Sequence, residues 1–97
     1  MAKHLEEKFK DYHKQNPEVY KLFKQFAQQA KFSGKTHYSA NSIFERIRWH
    51  VEVETLGDRF ELNNNYRPYY ARKLMIDYPE TFAGFFAVMA LQEVLMI

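Results

Sequence analysis

Residues 39–73 read SANSIFERIRWHVEVETLGDRFELNNNYRPYYARK, and the fold turns on how this stretch divides. Ser39 is a good N-cap, because its side-chain oxygen can accept from the free N–H groups of a first helical turn. Ile43, Phe44, Ile47 and Val51 then recur on one face of a 3.6-residue period, with Glu45, Arg46 and Arg48 off it. Trp49, Val51 and Val53 also alternate with His50, Glu52 and Glu54, so residues 49–54 could be extended instead. The longer period favours helix through about Val53. Leu56-Gly57-Asp58 signals a turn. Arg59-Phe60-Glu61-Leu62 alternates as a half-buried strand does, and Asn63-Asn64-Asn65 tolerates unusual backbone angles. Together these predict a small hairpin or extended flap. Pro68 then opens a helix with Tyr70, Ala71, Leu74 and Met75 inward, ending near Tyr78-Pro79.

On the N-terminal side, Leu5, Phe9 and Tyr12 predict a short amphipathic helix over Lys3–Gln15, with His4 and His13 on its solvated face. Asn16-Pro17 ends it, since a residue before proline is pushed out of the α region. The same pair starts the next helix, Asn16 as cap and Pro17 at the first position. Val19, Phe23, Phe26 and Ala30 mark the buried face of Pro17–Phe32, and Gly34 is placed to close it in the left-handed region. On the C-terminal side, Glu80 to about Leu95 is apolar nearly all round, which suits a central helix or half of an interface.

The expected fold is therefore one mainly α domain over residues 1–97. It has about five helices, with a short β-hairpin or extended flap between the third and fourth, winged-helix-like. The expected core is Phe9, Val19, Phe23, Phe26, Ile43, Phe44, Ile47, Val51, Phe60, Leu62, Tyr70, Leu74, Phe82, Phe85, Phe86 and Met89. With nine Phe and seven Tyr among 97 residues, aromatic area compensates for small size.

Composition narrows the function classes. There is no cysteine, which excludes disulfides and thiolate metal sites. Charges crowd the N-terminus where a signal peptide would be apolar, and the run Phe82–Leu91 is too short to span a bilayer. The expectation is a cytoplasmic protein with no membrane partner. Net charge is +2, unevenly placed. Residues 1–35 carry eight lysines against four acids, and residues 36–97 carry five arginines and one lysine against eight. Arginine suits fixed, bidentate or stacked contacts, so the site is expected in the second half.

Tyr38-Ser39-Ala40, the run Ile43–His50, Glu54-Thr55, Asn63–Tyr66 and Tyr69–Arg72 carry a resemblance. In combination these blocks resemble a group of small proteins encoded by bacteriophages and prophages, over roughly Pro17 to Phe86. The resemblance implies an accessory protein acting in a bacterial cytoplasm. It brings no catalytic residues.

Two binding modes fit the residues. Arg46, Arg48, Asn64, Asn65, Tyr66, Arg67, Tyr69, Arg72 and Lys73 suit DNA. Arg and Lys meet phosphates, Asn can read adenine, and a helix start can receive a phosphate. Five acids in the same segment offer the alternative that the arginines brace the scaffold. The other mode is a protein partner, such as a host enzyme or an anti-phage defence factor that an anti-CRISPR-like inhibitor would block. Trp49, the tyrosines and the arginines are the types enriched at interface hot spots, with Trp49 and His50 as a possible contact point. Trp49 fits a core position equally well. The apolar last helix would suit a homodimer. No H-E-x-x-H, glycine-rich phosphate loop or paired-histidine spacing occurs, so the expectation is a protein without enzymatic activity, cofactor or metal. His50, four residues before Glu54, reads as a partner of a nearby carboxylate.

Overall fold

In a computed structural model, residues 2–55 and 62–86 are described. They form α1 (Ala2–Gln15), α2 (Pro17–Phe32), α3 (Ala40–Trp49), a π-helical turn (His50–Glu54), a 3-10 turn (Asn64–Tyr66), α4 (Arg67–Asp77) and α5 (Pro79–Phe82). The protein is mainly helical. No strand occurs among the described residues, and the only β pairing there is an isolated bridge between Tyr38 and Phe86. The turn expected over Leu56–Asp58 lies outside the described residues, as does all of the strand expected over Arg59–Leu62 except Leu62, which is not in a strand. The expected core positions Phe60 and Met89, and the homodimer face beyond Phe86, lie outside them too.

Local chemistry sets the helix ends. Asn16 does not cap α2 as expected. Its side-chain amide instead donates to the Tyr12 carbonyl at 3.0 Å, beside its own backbone N–H on the same oxygen at 2.9 Å. Asn16 thus satisfies the end of α1, while Pro17 alone opens α2 with its preset φ. Gly34, at φ 108°, ends α2 in a Schellman arrangement. The Lys35 N–H reaches the Ala30 carbonyl and the Gly34 N–H reaches that of Lys31. Ser39 Oγ accepts from the N–H groups of Asn41 at 3.0 Å and Ser42 at 3.4 Å. Replacing Ser39 by alanine should cost about 1 kcal/mol. In a domain of this size that lowers the melting temperature by about 4–8 °C, which thermal unfolding by circular dichroism would read.

Two expected elements are corrected. Asn63–Asn65 is not the tip of a flap. Asn63 Oδ1 accepts from the Asn65 N–H at 2.9 Å, and the Tyr66 N–H donates to the Asn63 carbonyl at 3.0 Å. The three asparagines thus lead into α4 as a capping turn. Nor does one helix run from Glu80 to Leu95. α5 stops at Phe82, where Ala83 (φ −55°, ψ 126°) and Gly84 (φ 74°) occupy the middle of a turn. The Phe85 N–H closes that turn on the Phe82 carbonyl at 2.9 Å. This is the geometry of a type II turn, whose third position requires positive φ. The reversal sends Phe85 and Phe86 back under the α2–α3 connection. There the Tyr38 N–H donates to the Phe85 carbonyl at 3.0 Å, and His37 Nδ1 lies 3.1 Å from the Gly84 carbonyl.

α2 packs against α3, α4 contacts both, and α1 lies against α2. Phe9 of α1 meets Tyr66, Tyr69 and Tyr70 at ring distances of 4.9–5.8 Å. α4 is therefore enclosed on two sides, and Tyr66, Tyr69, Tyr70, Ala71, Leu74 and Met75 are all buried. Most of the expected core is buried as read from the sequence; Leu62 packs at its margin.

His13 corrects another expectation. It is not on a solvated face but half-buried, stacked on Phe9 and edge-on to Tyr20 and Tyr70. His4's side chain lies outside the described residues. Burial and then the nearby Lys73 charge hold His13 below its ordinary value of 6.5, with Asp77 opposing. As pH falls below about 6.5, the unfolded chain therefore takes up this proton before the native one does, and stability declines. Asp77 extends the decline further into acid. Burial alone would raise its carboxyl, but hydrogen bonds from Tyr20 and Lys73 outweigh that and hold it low. The urea midpoint should therefore be lower at pH 5.5 than at pH 7.5. His13→Phe, which keeps a ring in the slot, should remove most of that difference.

Candidate functional site

The π-helical turn builds the most distinctive surface. An α-helix repeats its contacts at i+4, whereas a π turn closes at i+5 and widens the coil; such turns are frequent at functional sites. Here α3 runs into His50–Glu54 without a break, so residues 49–54 are helical and not extended. Thr55, at φ −120° and ψ 157°, ends the turn and donates its hydroxyl to the Val51 carbonyl at 3.0 Å.

Inside the turn, one carboxylate oxygen serves two partners. Glu54 Oε1 lies 2.9 Å from His50 Nδ1 and 3.0 Å from Arg46 Nη1. These two hydrogen bonds, His50's first, hold the Glu54 carboxyl below the usual carboxylate range. The Arg46 guanidinium also lies over the Phe26 ring at 4.3 Å, and the His50 ring meets Phe26 edge-on. Arg46 and His50 are thus fastened to α2 and to the end of their own helix. The pairing of His50 with a nearby carboxylate matches the sequence reading.

Arg48 is fastened as well. It donates to Glu45 at 2.6 Å and to Asn64 Oδ1 at 3.0 Å, which ties α3 to the turn before α4. Lys73 pairs with Asp77 at 3.2 Å, and Tyr20 donates to the same Asp77 oxygen at 2.7 Å. Among the described residues, Arg67 and Arg72 have no ion-pair or hydrogen-bond partner. Asn65 is exposed in the turn that leads into α4, two residues before Arg67. Tyr66 and Tyr69, expected as contact residues, are only 6% and 4% exposed and belong to the core.

The nine candidate residues therefore do not form one basic face. Three of the five cations are braced by acids, and both tyrosines are internal. The surface over the π turn is different. Trp49 and Val53 are each 56% exposed and stand four residues apart, one at the entry to the π turn and one within it. The braced Arg46–Glu54–His50 set lies on the same segment. The alternation of residues 49–54 groups Trp49 and Val53 with Val51, which is buried, so the exposed pair has no clean signal in the sequence.

No helix among the described residues is long and apolar enough to cross a membrane. No protein-family model matches the chain, and neither a curated protein nor a solved structure does.

Proposed function

We propose that this is a non-enzymatic binding protein of bacteriophage or prophage origin. In this reading its exposed Trp49–Val53 face docks on a bacterial host protein, as a host-directed or defence-directed inhibitor would. The observation that carries the reading is an exposed tryptophan and valine beside charges that are already internally paired. An indole exposed in the free chain gains by leaving water. The arginines on the same segment already hold counter-charges, so a protein that covers them leaves no buried guanidinium unpaired. Tryptophan and arginine are the side chains over-represented where alanine substitution costs most at interfaces. The resemblance to phage-encoded proteins supplies the host setting.

A second reading, DNA binding, is supported by Arg67 and Arg72. Both lie on α4 without an acid partner among the described residues, and Asn65 is exposed in the turn before that helix. The first reading is favoured because Arg46, Arg48 and Lys73, which a phosphate-binding face would need, are engaged within the molecule. Immobilised protein should retain one stoichiometric protein from a bacterial lysate. Trp49→Ala should abolish that capture, and Arg67→Ala with Arg72→Ala should leave it. The reverse result, together with duplex DNA binding that weakens steeply with salt, would select the DNA reading.

A further inference from the structure

The groove between α1 and α4 is separate from the Trp49 face. It encloses about 300 Å³, at the lower end of the range for small-molecule sites, roughly 300–1,000 Å³. Phe9 and Ile76 supply its apolar walls. Ile76 is 65% exposed, so this apolar surface is available to a ligand. Lys10 and Arg72 sit at the rim with Glu6. Among the described residues none of these three is ion-paired, whereas Lys73 and Asp77, further along, neutralise each other. The unpaired rim charge is therefore positive by one. Two of the lining residues, Tyr69 and His13, each carry a polar atom that is sealed from water and has no partner among the described residues, Tyr69 Oη and His13 Nδ1.

We propose that this groove binds a small organic acid, a carboxylate carried on a flat apolar body. The body would lie between Phe9 and Ile76. The carboxylate would take the two-pronged N–H donation that a free guanidinium offers, from Arg72, and the O–H of Tyr69. Because Tyr69 Oη is sealed in the free protein, this mode requires Arg72, half-buried on the lining, to swing aside and open it. A sealed hydroxyl without a partner costs about what a lost hydrogen bond does, and an incoming acceptor oxygen recovers that cost. Burial pushes the Tyr69 phenol upward, with Glu6 adding to the rise and Arg72 opposing it. The phenol keeps its proton at neutral pH and can donate it to a carboxylate. Glu6 stands against a doubly charged phosphate, and the apolar walls against a bare inorganic anion.

The test is a titration of the full chain with phenylacetate, followed by amide NMR, with phenylacetamide as the uncharged counterpart. Phenylacetate should saturate with a Kd on the order of 1 mM, which suits a ligand of this size. The shifts should be centred on Phe9, His13, Tyr69, Arg72 and Ile76. Phenylacetamide should bind about 10-fold more weakly. Arg72→Gln and Tyr69→Phe, which preserve side-chain bulk, should each weaken phenylacetate by about 5–10-fold, while Lys21→Gln on the exposed side of α2 should not. Equal binding of acid and amide, no saturation by 20-fold above that concentration, or wild-type affinity in Arg72→Gln would overturn the proposal.

Discussion

Replacing Tyr70 by alanine should destabilise the fold by about 4 kcal/mol, in the range for removing a buried aromatic ring, while replacing it by phenylalanine should cost almost nothing. Tyr70 is fully buried. Its ring stands 4.9 Å from Phe9, edge-on, and 5.9–6.1 Å from His13, Tyr20, Phe23 and Phe44. These contacts come from α1, α2 and α3, so the ring is where three helices meet the fourth. A domain of this class has about 5–15 kcal/mol of stability in all. A loss of this size should lower the melting temperature by roughly 15–30 °C. The hydroxyl is a different matter. Tyr70 Oη is buried without a hydrogen-bond partner among the described residues, so it contributes a desolvation penalty and no bond. Tyr70→Phe should therefore melt at or slightly above the wild-type temperature. Thermal unfolding of the two variants separates ring from hydroxyl. A Tyr70→Phe variant as unstable as Tyr70→Ala would mean that the hydroxyl is bonded after all.

Trp49→Ala should do the opposite: leave stability nearly unchanged and weaken partner binding by at least about 30-fold, the 2 kcal/mol that defines an interface hot spot. The indole is more than half exposed, so its removal opens no internal cavity. The helix beneath is held by the Ser39 cap and by Ile43, Phe44, Ile47 and Val51, none of which depends on Trp49. Val53→Ser, one turn on, should give a smaller loss in the same direction. Both variants should melt within a few degrees of the parent while capture of the host protein fails. A variant that unfolds as it loses binding would place Trp49 in the scaffold instead.

Much of the fold was legible in the residues. Period and punctuation located α1 and α2, because Asn16-Pro17 and Gly34 have few physical alternatives. The same period picked out Ile43, Phe44 and Ile47 as core. What escaped reading was non-local. α4 is covered by α1 on one side and by α2 and α3 on another, so its apolar residues form no single stripe. Tyr66 and Tyr69 therefore looked like surface aromatics when they are core. The π turn was invisible because His50–Glu54 satisfies both helical and alternating patterns. Whether Arg46 and Arg48 were free depended on where Glu54 and Asn64 come to rest, which is set by tertiary packing. Gly84 carries a local signal, since a glycine inside an apolar run often marks a turn. The sealed hydroxyls of Tyr69 and Tyr70 have no sequence signature at all.

Trp49 is the only tryptophan in the chain, so its fluorescence reports on the proposed working surface alone. Acrylamide should quench the free protein as efficiently as an exposed indole. The captured complex should emit at shorter wavelength and resist quenching, provided the partner's own tryptophans are silenced by substitution with a non-fluorescent analogue. An indole already shielded in the free protein, or one equally exposed in the complex, would contradict the assignment of this face.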